Sequence, residues 1–222
     1  MDDGMAVREA VLDAVRRIVA AGLVANASGN VSCRIRRAAG DHFAITASRV
    51  PYHRFTIDDV LTVDEEIEPV VGDGVPSSES LLHMAVYRAR PDVGAVIHTH
   101  SVYASAYAVA GRPIPALLDE QVVALGGAVE VAAYGASASE ALADNAVAAL
   151  GDRAAVLLHN HGAVGVGTDL DEAIAVVELV ERVAKIGMLS ALIGGGDSAG
   201  LPVEIVASEQ AVYRMMKGFR EK

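Results

Sequence analysis

The sequence predicts an α/β fold in a single domain, and three observations carry that prediction. Segments with helical and with strand-like apolar spacing alternate irregularly along all 222 residues. Apolar residues make up 52% of the chain, ample for one continuous core. No composition shift, Pro/Ser-rich linker or internal repeat divides it, so residues 1–222 read as one domain.

The elements follow in order. Val7, Val11, Val15, Ile18 and Val19 recur at helical intervals between Ala6 and Ala21, and Gly22 stops that helix. Val31 to Ile35 and His42 to Thr46 are rich in strand formers, and the six residues from Arg36 to Asp41 read as their hairpin connection. Ser80 to Arg90 is helical in spacing, begins after Pro76-Ser77-Ser78-Glu79 and stops at Pro91. Val93 to His100 and Ala154 to His161 are apolar runs of strand length. Further helices are predicted at Val102 to Ala110, Ser139 to Leu150, Asp169 to about Leu192 before three glycines, and Ser208 to Phe219.

Charge narrows the partners. Twenty-nine acids against eighteen bases give a net charge of −11, which repels nucleic acid and anionic membranes, so any phosphate bound must be small and locally caged. The one cysteine, Cys33, excludes an internal disulfide framework and a Cys-rich zinc site and fits a reducing cytoplasm. The acidic start MDDGMAVREA is unlike a signal peptide, and no apolar run reaches the roughly 18 residues of a membrane span. A cytoplasmic location is the expectation.

His98-Thr99-His100 ends a predicted strand, where residues two apart share a face and both imidazoles can reach one ion. His161, before Gly162 at the end of another apolar run, supplies the third ligand of an open catalytic zinc site. An isolated His-x-His is as readily a polar strand end. It is the second histidine-bearing strand end that favours a metal. His159 shares a face with His161 and is either a supporting group or the ligand in its place, whereas His42, His53 and His83 read as surface or half-buried residues.

Ser77 and Ser78 open a helix whose free amides and hydroxyls suit a phosphoryl group, although serines also cap helices without a ligand. Ser28-Gly29-Asn30 and Thr46-Ala47-Ser48-Arg49 add two donor-rich turns, in which Arg49 can clamp a phosphate bidentately. Glu79 is either a first-turn acid on the helix dipole or, beside a cation, a general acid/base.

In order, GLVANASGNVSCR, ITASRVPY, VPSSESLLHMAVYRARPDVGAVIHTHS, IPALLDE and VLLHNHGAVGVG resemble the class II aldolase and adducin family from about Gly22 to Gly167. The resemblance implies one three-layer α/β/α domain around a mostly antiparallel sheet, assembled as a homotetramer with active sites between subunits. It implies Zn2+ at His98, His100 and His161, with Mn2+, Co2+ or Fe2+ as alternatives, Glu79 as acid/base, and Gly29, Asn30, Ser48, Ser77 and Ser78 around a sugar phosphate. The implied reaction is cleavage of a ketose 1-phosphate of the fuculose-phosphate or deoxyribulose-phosphate kind to dihydroxyacetone phosphate and an aldehyde. Two departures stand out. Arg49 takes the place of a usual glycine, and Asp119 and Glu120 stand where an aldolase tyrosine is expected. Those acids are candidates for the second proton donor and leave 4-epimerase, dehydratase or decarboxylase chemistry at the same metal as alternatives, with a non-catalytic adducin-like module behind them.

Overall fold

The structure, a computed structural model, describes residues 3–196 and 198–220. Among them the strands are β1 (Asn30–Ile35), β2 (His42–Thr46), β3 (Val60–Val63), β4 (Pro69–Val71), β5 (Ala95–Thr99), β6 (Val131–Ala132), β7 (Ala155–Leu158) and β8 (Gly162–Gly167). They form one sheet in the order β4-β3-β2-β1-β5-β8-β7-β6. Every pairing is antiparallel except β6 with β7. The helices are α1 (Asp3–Ala20), α2 (Ser80–Ala89), α3 (Val102–Ala110), α4 (Asp119–Leu125), α5 (Glu140–Leu150), α6 (Leu170–Gly194) and α7 (Val203–Arg220).

The sheet is covered on both faces. Leu82 and Met84 of α2 and Leu142 and Ala146 of α5 pack on Val96, Val156 and Val164. On the opposite face, Val11, Val15 and Ile18 of α1 and Val177 of α6 pack on Val31, Ala95 and Ile97. Ala104 and Ala108 of α3 extend that layer with Val180 and Val183 over Leu157 and Ala163. Helix, sheet and helix make the three layers that the resemblance implies.

Caps set several helix limits. Ser139 accepts a hydrogen bond from the Leu142 amide and Asp169 from the Glu172 amide, which starts α5 and α6 at their predicted residues. Gly111 and Gly195, in the left-handed conformation, end α3 and α6.

The run from Ala154 to His161 is not one strand. It stops at Leu158, turns through Asn160 at φ +58° and returns as β8. β8 is glycine-rich because α6 lies against it: a methyl group on Gly165 would sit 2.5 Å from a Val177 methyl, and one on Gly167 2.5 Å from the Ala173 amide. Gly165 and Gly167 are therefore sites of close helix approach. Among the described residues no helix is long and apolar enough to cross a membrane.

Candidate metal centre

Asn30 of β1 lies directly opposite His98 of β5. Alternation along β5 sends Ala95 and Ile97 into the α1 side and Val96 into the α2 side, so His98 shares the α2 side with Val96. His100 follows just past the strand end, and His161 closes the β7–β8 turn. The three rings meet there. Centroid separations are 4.8, 4.8 and 5.0 Å, and one nitrogen from each ring lies within 4.8 Å of the others. Glycine at position 162 is what permits this, because a methyl group there would be 2.3 Å from the Thr99 carbonyl oxygen and 3.1 and 3.2 Å from the His100 and His98 rings.

His98 Nδ1 donates to the Ala163 carbonyl oxygen at 3.0 Å, which leaves Nε2 as the ring's lone-pair nitrogen, 2.9 Å from His100 Nε2. Burial, reinforced by the neighbouring His100 and His161 rings, drives the His98 pKa well below its ordinary value. Burial and then His161 lower that of His100, although Glu79 pulls it the other way. Rings held neutral by their surroundings keep lone pairs available, which is the state a cation requires.

Glu79 occupies the N-cap of α2 and is 5% exposed. Its Oε1 accepts from the Ser137 hydroxyl and, at 3.1 Å, from the Ala138 amide. Ala138 turns that amide inward by adopting φ +62°, a conformation alanine rarely takes. Oε2 is buried with no hydrogen-bond partner among the described residues. An orphaned carboxylate oxygen beside three imidazoles is the arrangement that a divalent cation, or a proton in transit, satisfies. The donor set therefore fits a metal.

Next to the histidines lies a small cavity of about 140 Å3, lined by Ser28, Gly29, Asn30, Ser48, Arg49, Ser77, Ser78, Glu79, Ser137 and all three histidines. Three turns from distant parts of the chain thus converge on one place. Gly29 sits at φ +75° with the His98 carbonyl oxygen 2.6 Å from where a methyl would stand, and Tyr52 Oη pins its carbonyl at 2.7 Å. Arg49 sits at φ +62°, a left-handed conformation that glycine adopts without strain and arginine does not.

Some expectations need correction. Ser77 is not a free donor at its backbone: its amide is bonded to Thr46 O, and its hydroxyl accepts from the Glu79 amide. His83 is neither surface nor half-buried but fully enclosed, with both ring nitrogens bonded. His159 leaves the cluster, its ring 6.5 Å from that of Tyr134, because the turn after Leu158 breaks the strand alternation that would have aligned it with His161. Asp119 and Glu120 start α4 and do not line the cavity of their own chain. Glu120 pairs with Arg182, and Asp119 shares a hydrogen bond with Glu209. Ser137 and Ala138 went unread in the sequence, since a serine among alanines before a helix carries no signal of its own.

Known proteins resemble this chain in sequence and fold. A family model described as "Class II Aldolase and Adducin N-terminal domain" matches residues 9–188. The 5-methylthioribulose-1-phosphate/5-deoxyribulose-1-phosphate aldolase of Rhodospirillum rubrum is 36% identical over 181 residues, 82% of this chain and 80% of that protein. The L-fuculose phosphate aldolase of Escherichia coli O157:H7 is 30% identical over 207 residues, 93% of this chain and 91% of that one. A solved structure of an L-fuculose 1-phosphate aldolase superimposes with a TM-score of 0.86 at 31% identity, covering 94% of this chain and 96% of its own.

Proposed function

This chain belongs to the class II aldolase and adducin family, and from that premise we propose that it is a divalent-metal aldolase cleaving a ketose 1-phosphate to dihydroxyacetone phosphate and an aldehyde. One observation carries the reading: three imidazoles, a buried carboxylate with an unpartnered oxygen and a ring of anion donors border one small cavity. The activities of these relatives are aldolase activities and favour cleavage over epimerisation, dehydration or decarboxylation.

His98, His100 and His161 would hold the ion. Zinc is our assignment, and manganese, cobalt and iron suit the same nitrogens. When bound, the cation supplies Lewis-acid polarisation of the substrate's carbonyl and adjacent hydroxyl oxygens. The remaining work falls to the chain. Gly29, Asn30, Ser48, Arg49, Ser77 and Ser78 would hold the phosphoryl group and so fix the register of the carbon chain against the histidines.

Glu79, tethered through Oε1, keeps Oε2 for a proton. As the C3–C4 bond breaks, its electron pair stays on C3 and the aldehyde departs. Glu79 then hands C3 the proton that completes dihydroxyacetone phosphate, and it removes the same proton in the reverse direction. The proton of the C4 hydroxyl needs a second acceptor. Asp119 and Glu120 lie outside their own chain's cavity, so either would serve a neighbouring subunit's site in a homotetramer. An acidic chain with one cysteine suits a cytoplasmic enzyme.

Incubation with L-fuculose 1-phosphate and 5-deoxyribulose 1-phosphate, with product identification, tests the reading. Chelator should abolish release of dihydroxyacetone phosphate and zinc should restore it. Undiminished cleavage by metal-free protein, or products that retain the carbon chain, would contradict it.

A further inference from the structure

A continuous chain of buried polar side chains runs beneath α2 and ends at the cavity. Tyr87 Oη lies 2.8 Å from Ser32 Oγ, Ser32 Oγ 2.6 Å from His83 Nδ1, and His83 Nε2 2.5 Å from Asn30 Oδ1. Their exposures are 3% for Tyr87, 0% for Ser32 and His83, and 4% for Asn30. Polar groups this deep between helix and sheet are held only if each is satisfied, and a satisfied network specifies one arrangement.

The direction of donation follows from chemistry. Asn30 Oδ1 can only accept, so His83 Nε2 carries the hydrogen. In the neutral ring Nδ1 is then an acceptor, so the Ser32 hydroxyl donates to it and itself accepts from Tyr87. Burial holds the ring in that neutral form, with its pKa lowered to about 3. With its oxygen committed to His83, the Asn30 carboxamide has only its NH2 to offer the cavity that it lines.

We propose that His83 is a positioning residue for anion binding: its Nε2–H pins the Asn30 carboxamide so that the NH2 faces the substrate's phosphoryl group. Among the described residues, His83 is the group bonded to that oxygen. Released from His83, the amide can turn by half a rotation and present its oxygen to the anion, which repels it. The role deepens the function proposed above and rests on the phosphate cradle assigned there.

The test uses inorganic phosphate as the probe, bound to metal-loaded full-length protein, together with steady-state kinetics on a ketose 1-phosphate. His83→Leu should weaken phosphate binding and raise KM about tenfold with kcat little changed, since one charge-assisted hydrogen bond is lost. His83→Gln, which keeps a donor toward Asn30, should recover affinity to within about threefold of the wild type. In an Asn30→Ala background His83→Leu should cost nothing further, because the group through which it acts is gone. Equal affinity in wild type and His83→Leu, or an undiminished loss in the Asn30→Ala background, would overturn the proposal. Should His83→Leu fail to fold, Ser32→Ala replaces it, with a loss of about threefold expected and no loss overturning the proposal. Wild-type protein that binds no phosphate would overturn the cradle, and this role with it.

Discussion

His98 donates from Nδ1 to the Ala163 carbonyl oxygen at 3.0 Å, across the β5–β8 pairing. A backbone carbonyl thereby chooses the tautomer of a ring that is 1% exposed and turns its lone pair toward His100 and His161. The centre is built into the sheet, and its properties can be tested one group at a time.

Because the ligands are preassembled on the folded chain, the ion binds the native state and stabilises it by mass action. At a free concentration about a hundredfold above its dissociation constant, that is worth about 2.7 kcal/mol, or roughly 5 to 10 °C in Tm for a chain of this size. Thermal scans with and without chelator should show that difference for wild type and none for His161→Ala. Equal responses in the two proteins would argue against a role for His161.

Glu79→Gln retains the shape of the side chain while removing its capacity to carry a proton. Exchange of the C3 hydrogen of dihydroxyacetone phosphate with deuterated solvent, followed by NMR, should slow by about 10²- to 10⁴-fold with metal content unchanged. Ser137→Ala removes one of the two donors on Oε1 and should lower kcat by about tenfold. Exchange at the wild-type rate in Glu79→Gln would assign the proton to another group.

Arg49 carries a charge and a left-handed backbone together, and Arg49→Gly separates them. Relief of the conformational strain offsets the greater entropy of an unfolded glycine, so stability to urea should change by less than about 1 kcal/mol. KM for the phosphorylated substrate should rise about tenfold through the lost cation. A large stability change with unaltered KM would show that Arg49 acts on the fold and not on the anion.

Burial lowers the His83 pKa to about 3, below the unfolded value of about 6.5. The folded-state pKa is the depressed one, so the neutral ring's contribution is complete above the unfolded value and is lost as pH falls from 6.5 toward 3. Between pH 6.5 and 5, wild type should lose roughly 2 kcal/mol more than His83→Gln in urea denaturation. Parallel pH profiles would mean that the ring gains a proton without unfolding.

The parts of the fold that repeat with a fixed period were legible from residues alone. α1, the β1–β2 hairpin and α3 fall within a few residues of their predicted limits because burial imposes the period. β8 was hidden by its glycines: Gly162 makes room for the histidine rings, Gly165 and Gly167 for α6, and three glycines in six residues are a poor strand signal. His98, His100 and His161 were visible as a type and a spacing. The supporting shell was not: Ser137 reaches Glu79 across 58 positions and His83 reaches Asn30 across 53, and no local pattern encodes a partner so far away. His83 does recur with Ser80 and Tyr87 on the buried face of α2, yet a histidine on a helix ordinarily faces water.

Anomalous diffraction from zinc-loaded crystals, recorded on either side of the zinc absorption edge, tests the central claim most directly. One anomalous peak per chain is expected between His98, His100 and His161, close to the free oxygen of Glu79, and it should vanish in His161→Ala. A peak elsewhere, or none in protein that still cleaves a ketose 1-phosphate, would contradict the account.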